Sequence, residues 1–208
     1  MFAGTSLIGA RFERCRFTGC RFAHADLREA TFEDCQFVGE AAGKGPAFAF
    51  SRLDEARLLR CDLTHARFEG CDLYAVRFES CNLMGASFPR SSFARTFGRK
   101  VERIVGALVD CNLELADLSG LRLARCELAR SRLRETDLSA ADLTDADLTG
   151  ADLFQAIVDE ARLDRADLRG AEVSGLDLRR LASYADLKIA ADQQFRLLDA
   201  MGLDVQPE

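Results

Sequence analysis

Residues 136–153 read TDLSAADLTDADLTGADL. Leucines fall at 138, 143, 148 and 153, an aspartate stands directly before each, and Thr or Ala stands before that. The unit is five residues long, A-D-L-x-x, and most of the chain is a varied copy of it. A fixed short period decides the architecture before any other signal is weighed. Taking the large apolar residue of each unit as its centre, centres recur every five residues from Leu7 to Phe37, from Phe48 to Phe93, and from Leu108 to Leu178, where Val158 and Val173 replace Leu. That makes 32 centres.

An α-helix advances 100° per residue, so a period of five scatters the centres around its axis. A flat strand fails too, because an odd period sends alternate centres to opposite faces. A chain that bends once per unit satisfies the pattern: the centre and the residue two before it point inward, and the other three point out. Four units close a square turn, and stacked turns make a β-type solenoid of about 8 turns, roughly 38 Å long at ~4.8 Å per turn. The position two before each centre should then hold small residues. It reads Thr5, Ala10, Cys15, Cys20, Ala25, Ala30 and Cys35 in the first block, and is Ala at 141, 146, 151, 156, 161, 166 and 171. Leu121 and Leu176 are bulky exceptions. All eight cysteines (15, 20, 35, 61, 71, 81, 111, 126) occupy this one position, which points to small buried hydrophobes rather than to disulfides or metal ligands. His24 and His65 fall at outward corner positions, so no metal or cofactor is expected.

The net charge of −6 hides an asymmetry. Residues 1–104 carry 16 Lys and Arg against 13 Asp and Glu, a net of +3, whereas 105–208 carry 12 against 21, a net of −9. No apolar run is long enough to span a bilayer, and the start MFAGTSLIGARFERC lacks a basic region followed by an apolar one. A cytoplasmic protein with no membrane contact is expected.

Two interruptions break the period. Between Phe37 and Phe48 the Gly-rich VGEAAGKGPA reads as a loop of about 38–47 that includes Glu40 and Lys44. Between Phe93 and Leu108 the phase is kept, but Gly98 and Arg103 stand where centres belong. A charged side chain is costly in so narrow a core, so about 94–107 must leave the rod. This segment gathers Arg95, Thr96, Phe97, Arg99, Lys100 and Arg103 with Glu102 as the only acid, which marks a candidate contact surface. After Leu178 the repeat breaks up, giving a rod over 1–182 and a C-terminal region over 183–208. There ADQQFRLLDAMG predicts a short helix, with Asp192 as N-cap and Gly202 as stop. Its apolar residues Phe195, Leu197, Leu198 and Met201, followed by Leu203, would cap the rod and join two subunits.

The A-D-L-x-x units over about residues 5–180 resemble those of the pentapeptide repeat proteins. Within that family the chain is similar to the quinolone-resistance (Qnr) proteins and related topoisomerase self-immunity members. The shared features are the short loop after QFVGE, the longer loop after SFARTF, and an ending of the LLDAMGLDV type. The resemblance implies an all-β, right-handed quadrilateral β-helix that forms a homodimer through its C-terminal helices. It also implies a partner, DNA gyrase or topoisomerase IV, that the protein protects from quinolone-like or other topoisomerase-poisoning drugs while its rod imitates duplex DNA. The larger loop here is more basic than in some relatives.

The residues support part of that expectation. Residues twenty apart share a face, so Glu127, Asp147 and Asp167 form one acidic column and Asp117, Asp137 and Asp177 another, interrupted at Ile157. Asp142 and Asp152 add charge to the remaining faces. Two rods joined at their C-terminal ends would measure roughly 75 Å, about 22 base pairs, although their charge is sparser than DNA's. Such a protein would not bind nucleic acid directly. The alternative is a generic solenoid scaffold for another protein partner, in which charged outward positions only keep the rod soluble. No paired nucleophile and base and no phosphate-cradling loop appears, so an enzyme is not expected.

Overall fold

A computed structural model describes residues 2–39, 44–98, 101–204 and 206. The chain winds as a right-handed quadrilateral β-helix in which each turn lies parallel on the one before. Three-residue strands mark its first part: β1 (Arg11–Glu13), β2 (Arg16–Thr18), β3 (Thr31–Glu33), β4 (Gln36–Val38), β5 (Ala47–Ala49), β6 (Arg57–Leu59), β7 (Arg67–Glu69) and β8 (Arg77–Glu79). A hairpin follows, β9 (Ala94–Phe97) and β10 (Val101–Ile104), and then β11 (Ala107–Val109). One face is a five-stranded parallel sheet, β1-β3-β6-β8-β11. Beyond β11 the turns are joined by single bridges twenty residues apart, such as Asp117↔Asp137 and Glu127↔Asp147.

Register shows where the insertions sit. Phe12 pairs with Phe32, and Leu58 with Phe78, each twenty residues on. Phe32 pairs with Leu58, six residues beyond one turn, and Phe78 with Leu108, ten beyond. Phe37 and Phe48 are therefore centres of neighbouring faces, as are Phe93 and Leu108. The first loop is rooted at one corner of the square, the hairpin at the corner diagonally opposite. Arg103 and Gly98 leave the rod as the cost of burying a charge requires.

The interior is a set of columns. Phe2, Phe22, Phe48, Phe68 and Phe88 stack with ring centroids 5.1, 4.8, 4.8 and 4.8 Å apart, and leucine columns continue the core toward the C-terminus. Leu121 and Leu176 are buried with the rest. At Gly106 an added Cβ would lie 2.4 Å from the Phe93 ring, so only glycine passes under that buried side chain as the hairpin rejoins the rod.

The regular corners carry a left-handed residue two after the centre, with φ between 51° and 63° at the non-glycine positions from Arg14 to Asp186; Arg95 in β9 and Arg180 in the C-terminal 3-10 turn depart from this. Two corner types arise. In A-D-L-x-x units the N–H of the small residue bonds back to the preceding centre, as in Ala146 N–H to Leu143 O at 3.0 Å. The Asp carboxylate accepts the N–H two residues on, as Asp142 does from Thr144 at 3.1 Å. The strand units, such as RFEGC at 67–71 and RFESC at 77–81, lack both bonds. There the small residue's N–H bonds to a side chain one turn later: Cys61 N–H to Cys81 Sγ at 3.4 Å, Cys71 N–H to Ser91 Oγ at 2.9 Å, Cys111 N–H to Ser131 Oγ at 2.9 Å. The same groups donate to a centre carbonyl of the previous turn, Cys81 Sγ to Leu58 O at 3.2 Å and Ser131 Oγ to Leu108 O at 2.6 Å. Six of the eight cysteines are buried as expected and Cys15 and Cys20 are half-buried, yet seven of the eight also follow a three-residue strand, where a group that both donates and accepts is needed. Burial pushes the Cys35 thiol up to about 11, and the Cys71 and Cys126 thiols up to about 12, which keeps them protonated.

The C-terminal end differs from expectation in two respects. Pairing continues past Leu178 with a one-residue slip, Arg162↔Ser183 and Asp167↔Lys188. The slip is taken up by a 3-10 turn, Leu178–Arg180, capped by Asp177. Asp192 is not an N-cap; it lies inside a second 3-10 turn, Ala191–Gln193, that leads into α1 (Gln194–Ala200). The capping is done instead by buried Gln193, whose Oε1 accepts the Ala190 N–H at 2.6 Å and whose Nε2 donates to Leu168 O and Ala171 O at 2.7 Å each. One amide thereby closes the last turn of the rod.

Candidate contact surfaces

The hairpin is built by a tight reversal at Gly98 (φ 59°), with Phe97 opposite Val101 and Ala94 opposite Ile104. It does not stand free. The Arg95 guanidinium bonds to Asp54 on the rod, approaches Glu55 at 3.5 Å, and lies 4.6 Å over the Tyr74 ring. Tyr74 in turn meets Phe97 edge-on at 5.6 Å, and Arg103 lies 5.8 Å over the other ring of that pair, Phe97. On β10, Glu102 takes two bonds from Arg122 at 2.8 and 2.5 Å. Of the expected loop residues, Thr96, Phe97 and Arg103 are exposed and Arg95 is turned inward. Arg99 and Lys100 lie outside the described residues, as does Glu40 of the first loop. Lys44 is exposed, and Gly45 passes so close to His65 that a Cβ would lie 2.2 Å from its carbonyl carbon.

Seven of the eight acidic candidates share a local task. Asp117, Asp137, Asp142, Asp147, Asp152, Asp167 and Asp177 each accept the N–H two residues on, at 2.9–3.1 Å. Glu127 instead meets Arg77 at 3.1 Å. Several are also ion-paired: Asp152 with Arg134 at 3.1 Å, Asp167 with Arg169 at 2.7 Å and Asp177 with Arg179 at 2.8 Å. The hydrogen bond from Arg179 holds the Asp177 carboxyl at about 2, and that from Arg169 lowers Asp167. Asp117, Asp137, Asp142 and Asp147 carry no ion pair among the described residues. The column Glu127, Asp147, Asp167 is in register and runs on to Lys188. The second column pairs Asp117 with Asp137 and Asp137 with Ile157, whereas Asp177 is taken into the 3-10 cap.

At the C-terminal end the expected dimer residues divide. Leu197 is 3% exposed and joins the rod's core, while Phe195 is 57% and Leu203 51% exposed, and Leu198 and Met201 are half-buried. Sequence reasoning missed the Asp54–Tyr74 seat of the hairpin and the Gln193 amide. No local pattern in the sequence singles out Asp54, whose side chain is only 7% exposed. No helix of the described residues is long and apolar enough to cross a membrane, and no cluster of metal-ligating side chains occurs among them.

Family profiles described as "Pentapeptide repeat region" and "Pentapeptide repeats (8 copies)" match residues 10–88 and residues 111–150 and 146–180. The chain belongs to the pentapeptide repeat family. It is 28% identical over 132 residues to the quinolone resistance pentapeptide repeat protein QnrB96 of Scandinavium goeteborgense; the match spans 59% of this chain and 62% of that relative's length. Among solved structures it is similar to a trypsin-treated variant of QnrB1, a plasmid-mediated fluoroquinolone resistance protein, with a TM-score of 0.87 at 26% identity over 99% of this chain and 98% of that one. Full-length QnrB1 gives a TM-score of 0.83 at 25% identity, with 97% of each chain covered. The fold and family place the chain beside Qnr-type resistance proteins.

Proposed function

We propose that this protein binds a type II topoisomerase, DNA gyrase or topoisomerase IV, and protects it from quinolone-like drugs, acting in the cytoplasm as a homodimer and without catalysis. The observation that carries this reading is the end-to-end likeness to QnrB1. The geometry supports a division of labour. The acidic C-terminal half, above all Asp117, Asp137, Asp142 and Asp147, would face the cationic DNA-binding groove of the enzyme. The hairpin would supply the contacts that distinguish a topoisomerase from any other DNA-binding protein. Phe195 and Leu203 would meet a second copy, doubling the rod. The aspartates are first of all corner residues, so the charge they present is a by-product of the fold that binding puts to use.

The test is gyrase supercoiling with a panel of poisons. Purified full-length chain restores supercoiling in the presence of a fluoroquinolone, and deletion of residues 94–104 abolishes the rescue. Absence of both rescue and gyrase binding in the full chain overturns the reading in favour of a scaffold for another partner.

A further inference from the structure

The hairpin's attachment uses a group that an ordinary tolerated insertion would not need. Asp54 is 5% exposed, and its Oδ2 is the one buried side-chain polar atom without a hydrogen bond among the described residues. Arg52 approaches that oxygen only at 3.7 Å. Its other oxygen is occupied by Arg95, 41 residues away in sequence. Burying a carboxylate costs free energy that a well-placed partner only offsets, and an unsatisfied buried atom calls for a reason. Removing the hairpin would remove the only guanidinium among the described residues that hydrogen-bonds to Asp54. Asn or Ser at this corner would have avoided the cost.

The attachments are arranged so as to fix a direction. Arg95 of β9 reaches toward the N-terminal turns at Asp54, Glu55 and Tyr74, while Glu102 of β10 reaches the opposite way to Arg122. At the root, Val105 N–H bonds to Phe93 O at 3.2 Å and Val105 O accepts Ala75 N–H at 2.8 Å. The hairpin is thus held at its base and on both strands, while Thr96, Phe97 and Arg103 stay exposed.

We infer that Asp54, acting through Arg95, is a latch that presets the hairpin as a rigid contact arm: Arg95 and Glu102 are positioning residues, and Phe97 with Arg103 forms the partner-facing anchor. An aromatic ring 41% exposed and backed by a guanidinium suits an apolar cleft of a protein bordered by carboxylates or carbonyl oxygens. The partner-facing role rests on the topoisomerase reading; the latch itself does not.

The experiment uses the full chain and two readouts. Amide exchange of residues 94–98 and 101–105 is compared with that of residues 136–153 in wild type, Asp54→Asn, Arg95→Lys, Arg95→Ala, the Asp54→Asn/Arg95→Ala pair, Phe97→Ala and Arg103→Ala. Loss of a charge-assisted bond raises the hairpin's opening equilibrium roughly ten- to a hundredfold, so the latch variants exchange faster by that factor while residues 136–153 are unchanged. The double variant is no faster than its worse parent. Arg95→Lys fails to restore protection from exchange, because an ammonium neither forks onto Asp54 nor stacks on Tyr74. In the gyrase assay the latch variants need about tenfold more protein for equal rescue, and Phe97→Ala and Arg103→Ala lose rescue with little change in exchange. Unchanged hairpin exchange in Arg95→Ala overturns the latch, even if rescue falls, since Arg95 would then be a direct contact. Failure of the wild-type chain to rescue gyrase removes the topoisomerase reading and leaves the exchange result to decide the latch.

Discussion

Cys81 and Cys126 occupy equivalent positions two before a centre, are both buried, and should nevertheless respond very differently to alanine. Cys81 Sγ accepts the buried Cys61 N–H at 3.4 Å and donates to Leu58 O at 3.2 Å. Cys126 follows an A-D-L-type corner: its own N–H bonds to Leu123 O at 3.0 Å, and no neighbouring N–H depends on its sulfur. Truncating Cys126 therefore removes only packing, about 1 kcal/mol for a small buried group with partial collapse of the site. Truncating Cys81 adds an unsatisfied buried N–H, about 1–3 kcal/mol, for a total of roughly 2–4 kcal/mol. Serine is the discriminating substitution. Ser51, Ser91 and Ser131 already fill such sites, so Cys81→Ser should cost less than about 1 kcal/mol, whereas Cys126→Ser buries a hydroxyl with no assigned partner and should cost more than Cys126→Ala. Guanidinium unfolding followed by far-ultraviolet circular dichroism, with reductant present, gives the order. Equal losses for the two alanine variants, or a Cys81→Ser variant as weak as Cys81→Ala, would refute the account of the strand corners.

Gln193→Ala strips the partners from Ala171 O and Ala190 N–H at once and leaves Leu168 O with the Ala171 N–H alone. We expect a loss of about 2–4 kcal/mol, seen first as rapid amide exchange in residues 183–200 while the N-terminal turns stay protected, because a solenoid unravels from its end. Acid should loosen the corners in a definite window. Asp26, Asp34, Asp110, Asp145, Asp167 and Asp177 all have carboxyls lowered by arginine partners, so their folded values lie below the ordinary 3.8. Their contribution is complete above pH ~4 and is lost as pH falls through the folded values toward the ~2 of Asp177. Melting temperature should therefore be flat above pH ~5 and fall between about 4 and 2, with a smaller drop in high salt; a rise on acidification would contradict the sign.

Much of the rod could be read from residues 136–153, because one chemical demand, a small residue two before a large one, repeats at every corner without interference from the rest of the fold. The departure of Arg103 and Gly98 from the rod was legible for the same reason: neither fits the demand. The two kinds of corner were also written in the chain, as R-F-x-x-C against A-D-L-x-x, but only hydrogen-bond partners one turn away reveal why cysteine and serine alternate with alanine. The latch was hidden because Asp54 and Arg95 share no local pattern; a register offset brings them together. Gln193 does not stand out in the sequence, since polar residues near a helix start usually face water and Asp192 beside it is by residue type the better N-cap. The aspartates before the centres also serve the fold. Their spacing follows from the corner's need for an acceptor, so spacing alone says nothing about a partner.

The roots of the two insertions, at diagonally opposite corners, restrict how any partner can hold this molecule. A flat surface pressed against one side of the rod can reach one insertion but has the full thickness of the stack between it and the other. A partner that engages both must wrap around about half of the rod's girth, as a saddle or a closing clamp does, or must use two separate sites. Both insertions start and finish on neighbouring faces, so the turns before and after each one stay in register, and grip can be retuned at one corner while the shaft being gripped keeps its course.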